Sequence, residues 1–435
     1  MTPCRPSSVL QWLTLGYLLL LPLGGAPLPA NMQWADLAFV ALGAAVVATQ
    51  RRGLLIRHPM DWLVAAYLAG SVVSCWRSTD LVQSGLGLAQ QGSLVLVYLV
   101  FSAIARPRGM VPKIACWGAW TAMLFAGASL LALGLYVMTG VERGPWLSVG
   151  PIPGAGTIAR IKGALLSPGF FCNYLTMALP WLILLPQGPA HAHATRWWRA
   201  ARAVVMGAAM GTATASVAGF LAGGLASVWA LWRSTRWLRL ARAGLAAAAA
   251  VTLVVMNLMV TVAVRDLSWA SDRNSRVGAA GHEYAFLPEG GAERLTVSVS
   301  YVPISYGLLK RVAVEAFRRE PLTGIGLGAF HAETERAYQQ GTLHQPYRAA
   351  DPHAEWLGRL AETGLVGFVT LAAFWVGVFR LAARLSRGSR ADAWVLRALI
   401  AGWIGVLVNS LNADVMNFRF LWVGLGVLRA LALRC

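Results

Sequence analysis

The stretch IACWGAWTAMLFAGASLLALGLYVM, residues 114–138, contains no charged side chain and decides the class of fold. A helix needs about 20 apolar residues to cross a bilayer, so this run is long enough. Comparable charge-free runs occupy 164–186, 203–232 and 243–264. Of the 435 residues, 57% are hydrophobic and 13% charged, and the mean hydropathy is +0.57. A soluble protein cannot bury so much apolar surface, and the sequence therefore predicts a polytopic membrane protein.

The basic residues are distributed in a way that predicts orientation in the membrane. The chain has 37 Lys and Arg against 18 Asp and Glu, a formal net charge of +19. That charge alone is compatible with nucleic-acid binding. The arginines, however, lie in short clusters between apolar runs, which is the pattern by which membrane proteins set their orientation. We therefore do not expect nucleic acid as a partner. The clusters are Arg51/Arg52/Arg57, Arg106/Arg108/Lys113, Arg196/Arg199/Arg202, Arg233/Arg236/Arg239/Arg242 and Arg380/Arg384/Arg387/Arg390/Arg397.

Twelve transmembrane spans alternate with these clusters. The predicted spans are roughly 9–24, 34–50, 61–76, 84–104, 114–138, 165–186, 202–216, 218–232, 243–264, 364–379, 396–412 and 414–429. Every cluster then falls on one side, which the positive-inside rule assigns to the cytoplasm together with both termini. The run 203–232 has to form a tight hairpin near 214–217, because a single helix there would put one cluster on the wrong side.

The N-terminus and the cysteines add two expectations. Arg5 and the apolar run 9–23 resemble a signal peptide, but 28–30 is a poor cleavage site, so we expect a retained first span. The five cysteines are scattered without metal-ligand spacing, and we expect neither a disulfide framework nor a zinc site. They are Cys4, Cys75, Cys116, Cys172 and Cys435.

The predicted spans divide an all-α chain into three parts. Residues 1–264 hold nine transmembrane helices, 265–363 form one large outer loop, and 364–435 hold three further helices. The loop carries twelve acidic and eleven basic residues. It is too polar to span the membrane and too long for a simple connector, so we expect the function to reside there.

Three features of the outer loop can be predicted. The alternating stretch 295–301 is either a small strand or a mobile loop. Residues 305–320 have the period of an amphipathic helix, which Pro321 ends. The glycines of Gly-Ile-Gly-Leu-Gly at 324–328 follow a helix rather than a strand, so they predict a compact turn in which backbone approaches backbone, not a dinucleotide site.

The stretch Asp-Pro-His-Ala-Glu-Trp-Leu at 351–357 carries the strongest chemical signal. Asp351 suits an N-cap and Pro352 the first helical position, which places His353 in the first turn of a helix that enters the membrane. Free N–H groups there favour an anion such as phosphate. The helix dipole also keeps the imidazole neutral, so that it can accept a proton. The alternative is a surface histidine at a helix start.

These residues together resemble the O-antigen ligase and polymerase family. The resemblance rests on Arg311, on PLTGIGLGAF at 321–330, on PHAEWL at 352–357 and on ETGLVG at 362–367. A second match is RIKGALLSPGFFCN at 160–173. Two departures are Ala354, where many members have Asn, and the hairpin region 212–217, which lacks the Arg that many members carry.

The resemblance implies a GT-C-like, metal-independent glycosyltransferase without cofactor, acting at the periplasmic face of the bacterial inner membrane. The donor is a glycan on undecaprenyl pyrophosphate, and the acceptor of a ligase is a sugar hydroxyl of lipid A–core. His353 is the expected base. Arg311, Arg160 and Arg348 are the expected pyrophosphate-binding residues. An ion pair with Glu315 is the alternative role of Arg311, and Arg160 could merely flank a span.

Three other functions remain open at this stage. A polymerase of the same superfamily would join repeat units of O-antigen or exopolysaccharide, and a related ligase would attach glycan to protein. A glycolipid transporter without chemistry would need charged residues inside its spans. The predicted spans are nearly free of charge, with Arg419 near the outer end of the last one, which disfavours transport.

Overall fold

The chain is mostly helical. The computed structural model describes residues 7–24, 33–54, 56–107, 109–139, 144–152, 156–165, 167–184, 205, 209, 260–269, 282–285, 295–303, 305–343, 351–387, 393–411 and 413–434. The helices are α1 (Ser8–Leu20), α2 (Trp34–Leu54), α3 (Pro59–Cys75), α4 (Leu81–Ala105), α5 (Met110–Thr139), α6 (Pro168–Leu184), α7 (Ser305–Arg319), α8 (Phe330–Gln339), α9 (Glu355–Ser386), α10 (Ala393–Asn409) and α11 (Arg419–Ala432). The strands are β1 (Leu147–Ile152), β2 (Gly156–Ile161), β3 (Val260–Trp269), β4 (His282–Ala285) and β5 (Leu295–Pro303).

A helix lies at the place of nine of the twelve predicted spans, namely the first six and the last three. By length and composition, α4, α5 and α9 can cross a membrane, and α1, α3, α6 and α10 are shorter apolar helices. Apart from residues 205 and 209, the predicted spans 202–216 and 218–232 lie outside the described residues, as does most of 243–264.

The expectation of an all-α chain is wrong in the outer segments, which contain two small sheets. Strands β1 and β2 form an antiparallel hairpin, and β3, β5 and β4 form a second antiparallel sheet in that order. Strand β3 takes the last five residues of the predicted ninth span, because its Val-Thr-Val-Ala-Val start has β-branched side chains that favour extended backbone. Strand β5 confirms the strand alternative for the stretch 295–301.

Contacts between helix termini define one end of the helical bundle, which we call the arginine end. Arg429, near the end of α11, is buried and donates to Asp61 in the first turn of α3 at 2.7 and 2.8 Å. Arg434 donates to the backbone carbonyl of Arg106, directly after α4, at 2.9 Å. Arg106, a member of the second basic cluster, therefore shares one end of the bundle with Arg429 and Arg434.

The opposite end, which we call the loop end, carries the segments that the sequence predicts to lie outside the membrane. Arg419, the first residue of α11, forms a two-point ion pair with Asp36 of α2, with both N–O distances at 2.6 Å. Helix α4 connects the two ends. Its 25 residues span about 37 Å, and near its start Ser84 donates to the carbonyl of Leu327 at 2.7 Å.

The segment 305–363 has a small hydrophobic core of its own. Helix α7 is amphipathic as predicted: Leu309, Val312 and Ala316 are buried, whereas Arg311 and Arg318 are exposed. The buried face packs against α8, the glycine turn and the first turns of α9. Helix α9 is interrupted at Gly364, whose φ of 60° and ψ of −163° separate this packed part from the long apolar part. That break coincides with the predicted start of the tenth span.

Candidate functional site

The glycine turn at 324–328 joins the segment 305–363 to the bundle. The N–H of Gly326 donates to the carbonyl of Glu362 in α9 at 3.0 Å, and the carbonyl of Ile325 accepts from Thr79, between α3 and α4, at 3.0 Å. Gly326 has φ of +111°, and a Cβ there would lie 2.7 Å from the Cα of Ser78. The prediction of a turn in which backbone approaches backbone is therefore confirmed.

His353 lies just before α9 rather than in its first turn, so the predicted helix start is wrong by a few residues. The helix begins at Glu355, with Ala354 as its N-cap. His353 itself has φ of +48°, and it is the one non-glycine residue with positive φ among those described. The helix cannot start earlier, because left-handed backbone at His353 is incompatible with a helical turn.

The residues on either side of His353 are held firmly. Pro352 is buried, and its ring packs so close to Gly358 that a Cβ at Gly358 would lie 2.8 Å from the Cγ of Pro352. On the other side Ala354 is buried, and the N–H of Glu355 donates to the carbonyl of Ser410 at 2.8 Å. A left-handed non-glycine residue costs on the order of 1–3 kcal/mol and persists where its surroundings fix it.

The imidazole of His353 is set up to stay neutral. Burial, above all, holds the pKa of His353 below its ordinary value of 6.5; Asp351 opposes that shift and the positive charge of Lys310 adds to it. Burial also lowers the pKa of Lys310, on the partly buried side of α7. The predicted neutral imidazole is therefore supported, but burial is its principal cause, whereas the sequence suggested the helix dipole.

The three arginines expected to bind pyrophosphate have different positions. Arg311 lies on the exposed side of α7, next to Lys310. Arg160 lies on β2 opposite Ser148, and its Nε is buried without a hydrogen-bond partner within the described part of the chain. Arg348 lies outside the described residues. No group of three or more His, Cys, Asp or Glu side chains suited to a metal ion occurs in the described ranges.

The hairpin that bears Arg160 packs at the loop end. Ile161, the next residue of β2, is buried with Phe171 of α6. Phe170 of the same helix meets the ring of Phe418 edge-on, with 5.0 Å between the ring centroids. Phe418 closes the loop between α10 and α11, which we call the 410–418 loop. The hairpin is therefore connected through α6 to that loop.

A buried charged cluster lies directly beside His353, and the local sequence does not predict a role for it. Glu355 accepts from Nε of Arg359 at 2.7 Å and from the backbone N–H groups of Val415 and Met416 at 2.9 and 3.0 Å. The carboxyl of Asp414 also hydrogen-bonds to Glu355. The side chains of Glu355 and Arg359 are only 1% and 6% exposed, so the pair is fully internal.

The sequence contained part of the signal for this cluster. Glu355 and Arg359 are four residues apart on one helix, the spacing of an ion pair. Two further residues were missed: Lys310, which sequence reasoning did not single out, and Asn409, which donates to Asn173 of the second matched stretch at 2.6 Å. Neither has a local signal, because their partners are remote in sequence.

A family model described as O-antigen ligase matches residues 202–372. The matched stretch includes α7, the glycine turn, His353 and the start of α9. A comparison with curated proteins finds no match. The apolar helices indicate a membrane protein, and residues 202–372 are similar to an O-antigen ligase domain. This similarity supports a glycosyltransferase-like activity of the O-antigen ligase or polymerase type.

Proposed function

We propose that this protein is an O-antigen ligase, which transfers a glycan from undecaprenyl pyrophosphate to a sugar hydroxyl of lipid A–core. The observation that carries the proposal is the half-buried His353, held at a left-handed backbone position with its pKa below the ordinary value. The family match over the same stretch gives the class of reaction. The activity needs no metal or cofactor in this proposal.

The proposed reaction is a single displacement. The neutral imidazole of His353 takes the proton of the acceptor hydroxyl, and the hydroxyl oxygen attacks the anomeric carbon of the donor sugar. The bond between that carbon and the pyrophosphate oxygen breaks, and undecaprenyl pyrophosphate leaves with the bonding electrons. Arg311, Arg160 and Arg348 are the proposed partners of the leaving group, because guanidinium groups keep their charge and bind phosphate oxygens in pairs.

We place the loop end at the periplasmic face of the inner membrane and the arginine end, with both termini, in the cytoplasm. Support comes from the positive-inside rule, since Arg106, Arg429 and Arg434 meet at the end that is opposite to His353. A lipid-linked sugar at the outer face then meets the segment 305–363 directly.

Transfer in a reconstituted system tests the proposal. Purified protein is given a polyprenyl-pyrophosphate-linked glycan and isolated lipid A–core, and the product is identified by mass spectrometry. We expect glycan attached to core, and we expect His353→Ala to abolish it while the protein remains folded in the membrane. His331→Ala is the control; His331 is a half-exposed residue of α8, 3.6 Å from Asp351, and its variant should remain active.

Each other outcome has a defined meaning. Longer glycan on the carrier, without transfer to core, would identify a polymerase of the same superfamily. Normal transfer by His353→Ala would remove His353 from the mechanism, and the absence of any transfer by the unaltered protein would overturn the proposed activity.

A further inference from the structure

The carboxylate of Glu355 connects the His353 segment to the loop that packs near Arg160. One oxygen of Glu355 accepts from Arg359 within α9. The other oxygen accepts from the backbone N–H groups of Val415 and Met416, 60 and 61 residues further along the chain. An ion pair within one helix would need only the first of these contacts. The second ties the 410–418 loop to the start of α9.

Two more hydrogen bonds strengthen the same connection. The backbone N–H of Glu355 donates to the carbonyl of Ser410, and the indole Nε1 of Trp356 donates to Oγ of Ser410, both at 2.8 Å. The 410–418 loop is therefore attached to α9 at Ser410 and again at Val415 and Met416. Since Glu355 follows His353 by two residues, these contacts fix the backbone on the C-terminal side of the imidazole.

The 410–418 loop reaches the second candidate segment as well. Its last residue, Phe418, packs edge-on against Phe170 of α6. The neighbouring Phe171 shares a core with Ile161, the residue after Arg160. A continuous set of packed groups thus runs from Glu355 to the hairpin that holds Arg160, although 193 residues separate Arg160 from His353 in sequence.

We propose that Glu355 is a positioning residue that holds His353 and the Arg160 hairpin in register through the 410–418 loop. This inference rests on the transfer activity proposed above. A buried ion pair by itself is weak support for stability, because desolvation of the two charges offsets much of their attraction. The role of the carboxylate here is geometric, because its two oxygens accept from Arg359 and from the backbone of the 410–418 loop at the same time, which an amide cannot do.

The test is Glu355→Gln compared with Glu333→Gln in the reconstituted transfer assay. An amide at 355 must turn its NH₂ group toward either Arg359 or the two backbone donors, so one side of the connection is lost. Glu333 is the matched control. Its side chain is 4% exposed and accepts from two arginines, Arg319 and Arg336, within the segment 305–363, and none of these contacts involves the 410–418 loop.

We expect Glu355→Gln to lower kcat about 100-fold, with the KM for the lipid-linked donor within about twofold of the unaltered protein, because a misplacement of about 1 Å has that order of effect. Glu333→Gln should keep kcat within about threefold of the unaltered protein, although it should lose about as much thermal stability as Glu355→Gln. Equal kcat values for the two variants, in a protein that does transfer glycan, would overturn the positioning role.

A second readout does not depend on transfer. Diethyl pyrocarbonate modifies accessible neutral imidazoles, and mass spectrometry gives the rate at His353. We expect faster modification of His353 in Glu355→Gln and an unchanged rate in Glu333→Gln. Unchanged modification in both would refute the inference even if the protein had no transfer activity.

A milder variant covers the case in which Glu355→Gln does not accumulate. Trp356→Phe removes only the indole hydrogen bond to Ser410 and keeps an aromatic ring against Phe368. We expect it to fold and to lower kcat several-fold with faster modification of His353. Unaltered kcat and modification would count against the connection.

Discussion

Arg429 donates two hydrogen bonds to Asp61, at 2.7 and 2.8 Å, and so joins the end of the last helix to the beginning of α3. The guanidinium is 1% exposed and also stands over the ring of Tyr98, 5.6 Å from its centroid. This pair fixes the polarity of the bundle, because α3 begins where α11 ends. His353, at the start of α9, is therefore at the far end of the bundle from Asp61.

That polarity predicts which cysteine substitutions a membrane-impermeant maleimide can reach in intact cells. Thr342 and Arg387 are both exposed and lie beyond opposite ends of α9. In a background without native cysteines, we expect Thr342→Cys to be labelled in intact cells and Arg387→Cys only after permeabilisation. The reverse pattern would put the segment 305–363 in the cytoplasm and remove the proposed glycan transfer.

The pH dependence of transfer should follow the charges around His353. The pKa of His353 is lowered, so the neutral base persists below pH 6.5 and the rate should fall only as pH drops through that lowered value. This fall in rate at low pH is the acid limb of the profile. Lys310→Met removes a positive charge that lowers the pKa of His353, so the acid limb should move to higher pH. Asp351→Asn removes a charge that raises it, and the limb should move to lower pH.

The measurement for this prediction is kcat/KM against pH for the unaltered protein and the two variants. Shifts of the acid limb in the same direction for both variants would contradict the assignment of that limb to His353.

The candidate pyrophosphate-binding arginines should affect donor binding. We expect Arg160→Ala and Arg311→Ala each to raise the KM for the lipid-linked donor roughly 10- to 100-fold, the worth of a lost charge-assisted hydrogen bond of about 1.5–3 kcal/mol. Arg318→Ala is the control, because Arg318 is exposed on the same helix as Arg311. If Arg318→Ala has the same effect, the response reflects general surface charge and not a specific site.

The glycine turn should tolerate no side chain at Gly326. With φ of +111° and a Cβ 2.7 Å from the Cα of Ser78, Gly326→Ala has to displace backbone. We expect a loss of about 3 kcal/mol or more, seen as a lower melting temperature in detergent. Gly341→Ala is the control: φ is +73° but nothing lies within 4 Å, so the loss should be about 1–2 kcal/mol. Equal melting temperatures would mean that the contact with Ser78 yields.

The sequence predicts the local features of this fold well. Charge-free runs locate the helices, and the amphipathic period together with Pro321 gives α7 almost to the residue. The prediction of the glycine turn is confirmed, because glycine has no Cβ and can adopt the positive φ angles and close backbone contacts found at 324–328. The sequence places His353 within two residues of the start of α9, but the N-cap is Ala354 and not Asp351.

Features that depend on remote partners could not be predicted. The helix starts only at Glu355 because His353 has left-handed backbone, and the N–H of Glu355 donates to Ser410 of the 410–418 loop, a contact that sequence spacing does not show. Likewise, the carboxylate of Glu355 has its backbone partners at Val415 and Met416. Strand β3 is not predicted, because its alternating pattern begins at Val260, within the apolar run that predicts the ninth span.

The ion pair between Arg419 and Asp36 has a mechanical consequence. Together with the contact between Arg429 and Asp61, it anchors α11 at its first turn and again near its last. Removal of one partner of the buried pair between Arg429 and Asp61 would lower the free energy of unfolding by about 3–5 kcal/mol. Helix α11 is thus held against movement along its axis, and the proposed lipid-linked donor would have to enter between other helices.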